Sequence, residues 1–270
     1  MSTWTVYRWE MEKLAALLRV RLAAGACFVA PFGFAVALRL QDAVPADTLF
    51  GEWVHLSGFA TPMVLLVFTS QWALPLIACL VAGDIFAAED RYGTWKTILT
   101  RAASRTSIFW GKSLAAMTYS VLMVALLALG GLSAGELLIG HQPLIGLSGT
   151  LIPPGQAAGL VLASWGVAVL PTLGFTAMGL LFSIATRNGP AGILTPTVIG
   201  LLMQLLALIS GADLVRRVLL TTPYNAWFGF VRADRYYGPL LWGTVVSAGY
   251  VIGCLALGYL LMRRRDIDAG

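Results

Sequence analysis

The sequence predicts an all-α integral membrane protein: six transmembrane helices, an N-terminal interfacial amphipathic helix, and a short amphipathic helix in the connection between spans two and three. Three observations carry this. Hydrophobic residues make up 58% of the 270 positions and charged residues only 11%, which is far from a soluble globular domain. Six stretches free of Asp, Glu, Lys and Arg have about the length that crosses ~30 Å of hydrocarbon as a helix. The 18 Lys and Arg are distributed unevenly over the segments between them.

Taken in order, residues 1–21 form the interfacial segment. Its run STWTVYRWEMEKLAALLRVR places Trp4, Tyr7, Met11, Leu14 and Leu18 at steps of three and four, with Arg8, Glu12, Lys13 and Arg19 directed elsewhere. Such a helix lies along the membrane surface and then turns inward; a plain anchor would show the same periodicity. The six-span bundle follows over 22–262, with spans at Leu22 to Leu38, Gly58 to Gly83, Ser113 to Leu132, Ala157 to Thr186, Ala191 to Ser210 and Pro239 to Met262. These runs are continuously Leu, Ala, Val and Gly, whereas barrel strands alternate apolar and polar residues. Pro31, Pro75, Pro171 and Pro196 fall inside four of the spans, where each removes a backbone hydrogen bond and permits a kink. The segment GADLVRRVLLTTPYNAWFGFVRADRYYGP before span six mixes paired arginines with aromatics, which predicts short helices dipping into the interface.

Orientation follows from Lys and Arg. With the N-terminus in the cytoplasm, one side holds thirteen (Arg8, Lys13, Arg19, Arg21, Arg91, Lys96, Arg101, Arg105, Lys112, Arg187, Arg263, Arg264 and Arg265). The other holds five (Arg39, Arg216, Arg217, Arg232 and Arg235). Both termini are therefore expected in the cytoplasm, with 263–270 as a cytoplasmic tail and the first span as the targeting signal in place of a removable one. The basic balance reads as topology, and no nucleic-acid partner is expected. Cys27, Cys79 and Cys254 fall inside spans with no paired spacing, as buried thiols do.

Several functions are disfavoured by what the spans lack. Ion-coupled transport needs ionisable groups at membrane depth, and these spans offer Gln71, Gln204 and scattered Ser and Thr. Acid-base or metal catalysis needs converging carboxylates, histidines or cysteines, yet His55 and His141 lie in separate loops. The chain is therefore read as no enzyme, without a metal or cofactor of its own. The GKS at Gly111 to Ser113 resembles the tail of a phosphate-binding loop, but Thr106 stands where that loop needs its first Gly.

The charged connection over 84–112 contains EDRYGTWKTILTRAASRTSIFWGKS. Span two is expected to continue past the membrane through Asp84, Glu89 and Asp90, to end at Gly93, and to be followed by a new helix capped by Thr94. Trp95, Ile98, Leu99 and Ala102 form its apolar stripe, with Lys96, Thr97 and Arg101 elsewhere. Ser104 or Thr106 starts the next helix, and Lys112 marks the membrane edge of span three.

This stretch resembles the corresponding segment of permease subunits of the ABC-2 type. Their pattern is an acidic residue, Gly-Thr, a short apolar helix, Ser-Arg, and Gly-Lys entering the third span. It falls here on Glu89, Gly93, Thr94, Ile98, Leu99, Ser104, Arg105, Gly111 and Lys112. Many members have a Pro shortly before the Ser-Arg pair, where this chain has Ala102 and Ala103. The likeness extends over the chain as one transmembrane domain, 1–270, to the final YLLMRRRDI. It implies an ATP-driven exporter subunit in the cell membrane. The connection would be a coupling helix seated in a separate ATP-binding subunit through Glu89, Gly93, Thr94, Trp95, Ile98, Leu99, Arg101 and Arg105. Two permease subunits, identical or homologous, would pair with two ATPase subunits, and ATP and Mg would be bound by the partner chain. Members export drugs, peptides, lipids and polysaccharides, and uncharged spans favour apolar or amphipathic cargo. Positive-inside and headgroup contacts alone would account for Arg101, Arg105 and Lys112, but not for the apolar stripe. The alternative is a scaffold or sensor subunit that docks the same ATPase without carrying cargo.

Overall fold

A computed structural model describes residues 2–41, 48–95, 104–209, 211, 213–232 and 234–264. The chain is an all-α membrane protein, and among the described residues the one sheet is a two-stranded hairpin. Helix α1 (Thr3–Ala16) is followed at once by α2 (Leu18–Leu40), with the extended Leu17 between them. A single 3-10 turn, Gly51–Trp53, precedes α3 (Ala60–Gln71) and α4 (Ala73–Ala82). Then come the short α5 (Ala87–Arg91) and the long α6 (Arg105–Leu138). Strands β1 (Leu144–Ile145) and β2 (Leu151–Ile152) pair antiparallel, with Leu144 opposite Ile152. Helix α7 (Pro154–Thr186), α8 (Gly189–Ala207), the six-residue α9 (Asp213–Val218), a 3-10 segment over Thr222–Phe230 and α10 (Gly238–Arg263) complete the order.

Among the described residues, five helices, α2, α6, α7, α8 and α10, are long and apolar enough to cross a membrane. The α3–α4 pair passes the same test as a unit but bends by 60°. The break has a local cause. Pro75 sits in the first turn of α4, and its ring would meet the carbonyl of Gln71, the last residue of α3. Pro31, Pro171 and Pro196 are instead carried inside continuous helices. The continuous second span expected over Gly58 to Gly83 is thus a bent pair.

Helix α7 lies at the centre, buried along most of its length and packed by α4, α6, α8, α10 and the 3-10 segment. Trp165 of α7 is fully enclosed and donates from Nε1 to the Pro62 carbonyl at 3.1 Å. Ser120 and Thr176 join α6 to α7 at 2.7 Å, and Thr172 meets Tyr224 of the 3-10 segment at 3.1 Å, the usual use of hydroxyls between apolar helices. Glycines set the closest crossings. Gly83 at the end of α4 lies against Gly192 of α8, and Gly58 against Gly135 of α6, so closely that a Cβ on any of them would strike the facing backbone.

The bundle has two distinct ends. One carries the hairpin, α9 and the 3-10 segment, and the other gathers α1, α5, the start of α6 and the end of α10. The N-terminal helix also has a face turned to the bundle. The face of α1 that packs on α6 is Val6, Glu10 and Leu14, while Trp4 and Leu18 stand 69% exposed. Only Leu14 of the expected stripe is buried, because α1 is seated by a charged partner beneath Glu10 as well as by its apolar residues.

Candidate functional site at the charged end

The site is built around the chain that leaves α4. Phe86 and Ala87 donate their backbone N–H groups to Ser183 Oγ of α7 at 3.3 and 3.0 Å, which pins the turn to the central helix. Helix α5 then runs for five residues and closes where a glycine allows it. Gly93 has φ +62°, its N–H donates to the Asp90 carbonyl at 3.2 Å, and the Thr94 N–H donates to the Glu89 carbonyl at 3.0 Å. These are the two bonds of a Schellman closure. Gly93 therefore ends the helix as the sequence implies. Thr94 turns back, and its hydroxyl donates to the Glu89 carboxylate.

Glu89 is buried, and its Oε1 accepts from Lys112 Nζ at 2.8 Å and Lys13 Nζ at 2.9 Å. Lys112 is the deepest member of the cluster, with a side chain 1% exposed. Its ammonium also donates to Glu10 Oε1 at 2.7 Å and to the Ile85 carbonyl at 3.2 Å, so all three protons have acceptors. Two carboxylates thus face two ammoniums, and the buried charge is balanced. Burial alone would raise the Glu89 carboxyl, but Lys112 beside it, with Thr94 and Lys13, holds it down at about 2. Burial alone would likewise lower Lys13, and the Glu10 and Glu89 carboxylates raise it instead.

A second knot lies next to the first. Asp84 accepts from Arg19 at 2.5 Å and Arg91 at 3.2 Å while its carboxylate rests against Gly189 in the first turn of α8, where a negative charge is favoured by the helix dipole. A side chain at Gly189 would occupy that position.

Gly111 and Lys112 act as a pair. Gly111 has no side chain where Val6 of α1 comes down on α6, and one turn further along α1 Glu10 reaches Lys112. Ser104 caps α6, its Oγ accepting from the Ser107 N–H at 3.0 Å. Arg105 donates to the Arg263 carbonyl at 3.0 Å, meeting the negative end of α10. Trp95 is buried and stacks on Phe86 with 6.5 Å between ring centres. Phe86 stacks on Phe109 at 6.0 Å, and Phe109 packs on Tyr259 of α10 at 5.3 Å. An aromatic column therefore links the connection to α6 and α10.

Of the residues singled out in the sequence, Glu89, Gly93, Thr94, Trp95 and Arg105 come together at this end, and Ile98, Leu99 and Arg101 lie outside the described residues. Sequence reasoning did not find the buried pairing of Glu10 with Lys112 or that of Asp84 with Arg19 and Arg91. The signal was available for Glu10, an acidic residue in register with Val6 and Leu14. Among the described residues, no group of three or more His, Cys, Asp and Glu side chains is placed to hold a metal. What this arrangement can do is mechanical. It locks α1, α5 and α6 together through ions that cannot separate in a low-dielectric surrounding without large cost.

A family model described as "Protein of unknown function (DUF2705)" matches residues 54–267, from before the bent pair to the end of α10. The chain belongs to the DUF2705 family. No curated protein matches it. The match takes in Asp84, Glu89, Lys112 and the whole aromatic column, so most of the charged end lies within the DUF2705 portion. Glu10, Lys13 and Arg19 are supplied by helices that precede the match.

Proposed function

We propose that the chain is the permease subunit of an ABC-2 type exporter, pairing with a second permease subunit and docking a separate ATP-binding subunit that carries ATP and Mg. In this reading α3 and α4 form one bent span, which brings the spans to six. The charged end and both termini face the cytoplasm of the cell membrane. The observation that supports the reading most is how the connection after span two is held. Glu89 is clamped between Lys13 and Lys112, Gly93 and Thr94 close α5, and Trp95 is stacked into the column that reaches α10. A push on this connection by a partner ATPase would move α1, α6 and α10 as one body, which is what coupling needs from a hinge or shear element.

Three experiments test the proposal. The purified chain is expected to show no ATPase activity alone and to acquire it with its partner subunit. Ile98→Asp should insert in the membrane normally yet lose co-purification of that subunit and transport, because an unpaired charge would be buried at the docking face, while Thr97→Asp should be milder. Hydrolysis by the isolated chain, or a retained partner with Ile98→Asp, would overturn the assignment. Topology is tested with single cysteines at Ser104 and Tyr236 in a background lacking the three native ones. Tyr236 is suited because it is 62% exposed, whereas Tyr224 nearby is enclosed. The two positions should label from opposite sides of intact cells, and labelling of both from outside would overturn the orientation.

A further inference from the structure

At the hairpin end, α9 and the start of α10 frame a cavity of about 370 Å³ with Asp213, Arg216, Arg217 and Trp242 among its walls. It opens beside a second hollow of about 470 Å³ that runs down the outer face of α10 past Val245, Gly249, Gly253 and Leu257. Trp242 borders both, its Nε1 donating to the Arg217 carbonyl at 2.8 Å. The upper cavity is basic, with two guanidiniums against one carboxylate. Arg216 reaches Asp213 at 3.3 Å and the Ile209 carbonyl at 3.1 Å, but its Nε–H is buried with no hydrogen-bond partner among the described residues. A buried donor left unmade is costly. The lower hollow is apolar, and its floor is open because a side chain at Gly249 or Gly253 would meet nothing within 4 Å. From Val245 to Leu257 the helix rises twelve residues, ~18 Å, close to the ~15 Å depth of one leaflet's hydrocarbon.

We infer that this composite site binds one anionic phospholipid, its phosphate held by Arg216 and Arg217 and an acyl chain laid in the glycine-floored groove of α10. Both guanidiniums line the cavity, and arginine forks suit phosphate geometry. Trp242 sits between headgroup and chain, where an indole with an apolar body and a polar tip belongs. Charge complementarity at the mouth and the length of the groove select this occupant over a second protein helix, which would leave the arginines unmatched. The site stands apart from the charged end and does not depend on the exporter assignment.

The test is lipid retention by the full chain, purified in mild detergent and examined by native mass spectrometry after addition of phosphatidylglycerol, phosphatidylcholine or soluble glycerol 3-phosphate. One phosphatidylglycerol is expected to remain bound, in preference to phosphatidylcholine, and excess glycerol 3-phosphate should not displace it. The double variant Arg216→Gln/Arg217→Gln should weaken retention about tenfold or more, and Gly253→Leu, which fills the groove, should weaken it for both lipids. The arginines lie at the surface, so that variant stays testable by its monodisperse elution even if the glycine variant folds poorly. Unchanged retention in the arginine variant would overturn the inference. So would displacement by glycerol 3-phosphate, or a change of oligomeric state in Gly253→Leu with lipid retention intact, which would assign the groove to a second copy of the chain.

Discussion

Lys112→Met is expected to destabilise the folded chain by about 3–5 kcal/mol, the cost of leaving buried carboxylates without their cation. Glu10 and Glu89 both reach the Lys112 ammonium, at 2.7 and 2.8 Å, and their side chains are only 11% and 4% exposed. Lys13 remains near Glu89 but is half-exposed and does not replace a charge at the centre of the cluster. Thermal unfolding in detergent measures the loss. The triple variant Glu10→Gln/Glu89→Gln/Lys112→Met should recover much of it, since a buried ion cluster replaced as a whole by neutral groups is often nearly neutral. A Lys112→Met protein as stable as the parent would mean that the cluster is hydrated and the joint soft. Acid titration gives the same answer by another route. The Glu89 carboxyl is held at about 2, below its ordinary 4.5, so its contribution is complete above about 4.5 and is lost as the pH falls through about 2. The parent should lose stability over that window, and Glu89→Gln should respond less.

How much of this was legible depended on whether the information was local. Gly93 and Ser104 were readable because helix closure and capping are decided within a few residues, and both act as expected. The spans were readable because hydrocarbon admits little except long apolar helices. The bend at Trp72 was half-readable: Pro75 announced a lost hydrogen bond, but not that α3 and α4 would part by 60°. The orientation of α1 was not readable from its own periodicity. Its apolar residues spread around most of the helix, and the face that wins is chosen by Lys112, 102 positions from Glu10. Lys112 itself looked like one more basic residue at a membrane edge. Only the approach of α1 over Gly111 turns it into a buried counter-ion. Asp84 is similar, since its carboxylate is stabilised by Arg19, from the first turn of α2, and by the first turn of α8.

Gly192→Ala should be strongly damaging for so conservative a substitution, costing roughly 1–3 kcal/mol or more as an overpacking change. A methyl at Gly192 would be driven into the carbonyl carbon and oxygen of Gly83, which no rotamer change can move aside. Small residues at helix crossings in membranes serve this close approach. The consequence extends beyond the crossing, because Gly83 immediately precedes Asp84. Pushing α8 away from the end of α4 also pulls the Asp84 carboxylate off Gly189 and strains its pairs with Arg19 and Arg91. Gly166→Ala is the matched control. It makes the same chemical change inside α7, but at an exposed position where a Cβ meets nothing within 4 Å, so helix propensity makes it neutral or stabilising by up to about 1 kcal/mol. Melting temperatures of the two variants side by side decide the matter. If they fell equally, the loss would belong to glycine in a helix as such, and the α4–α8 contact would not be the seam that holds the bent pair and the charged end together.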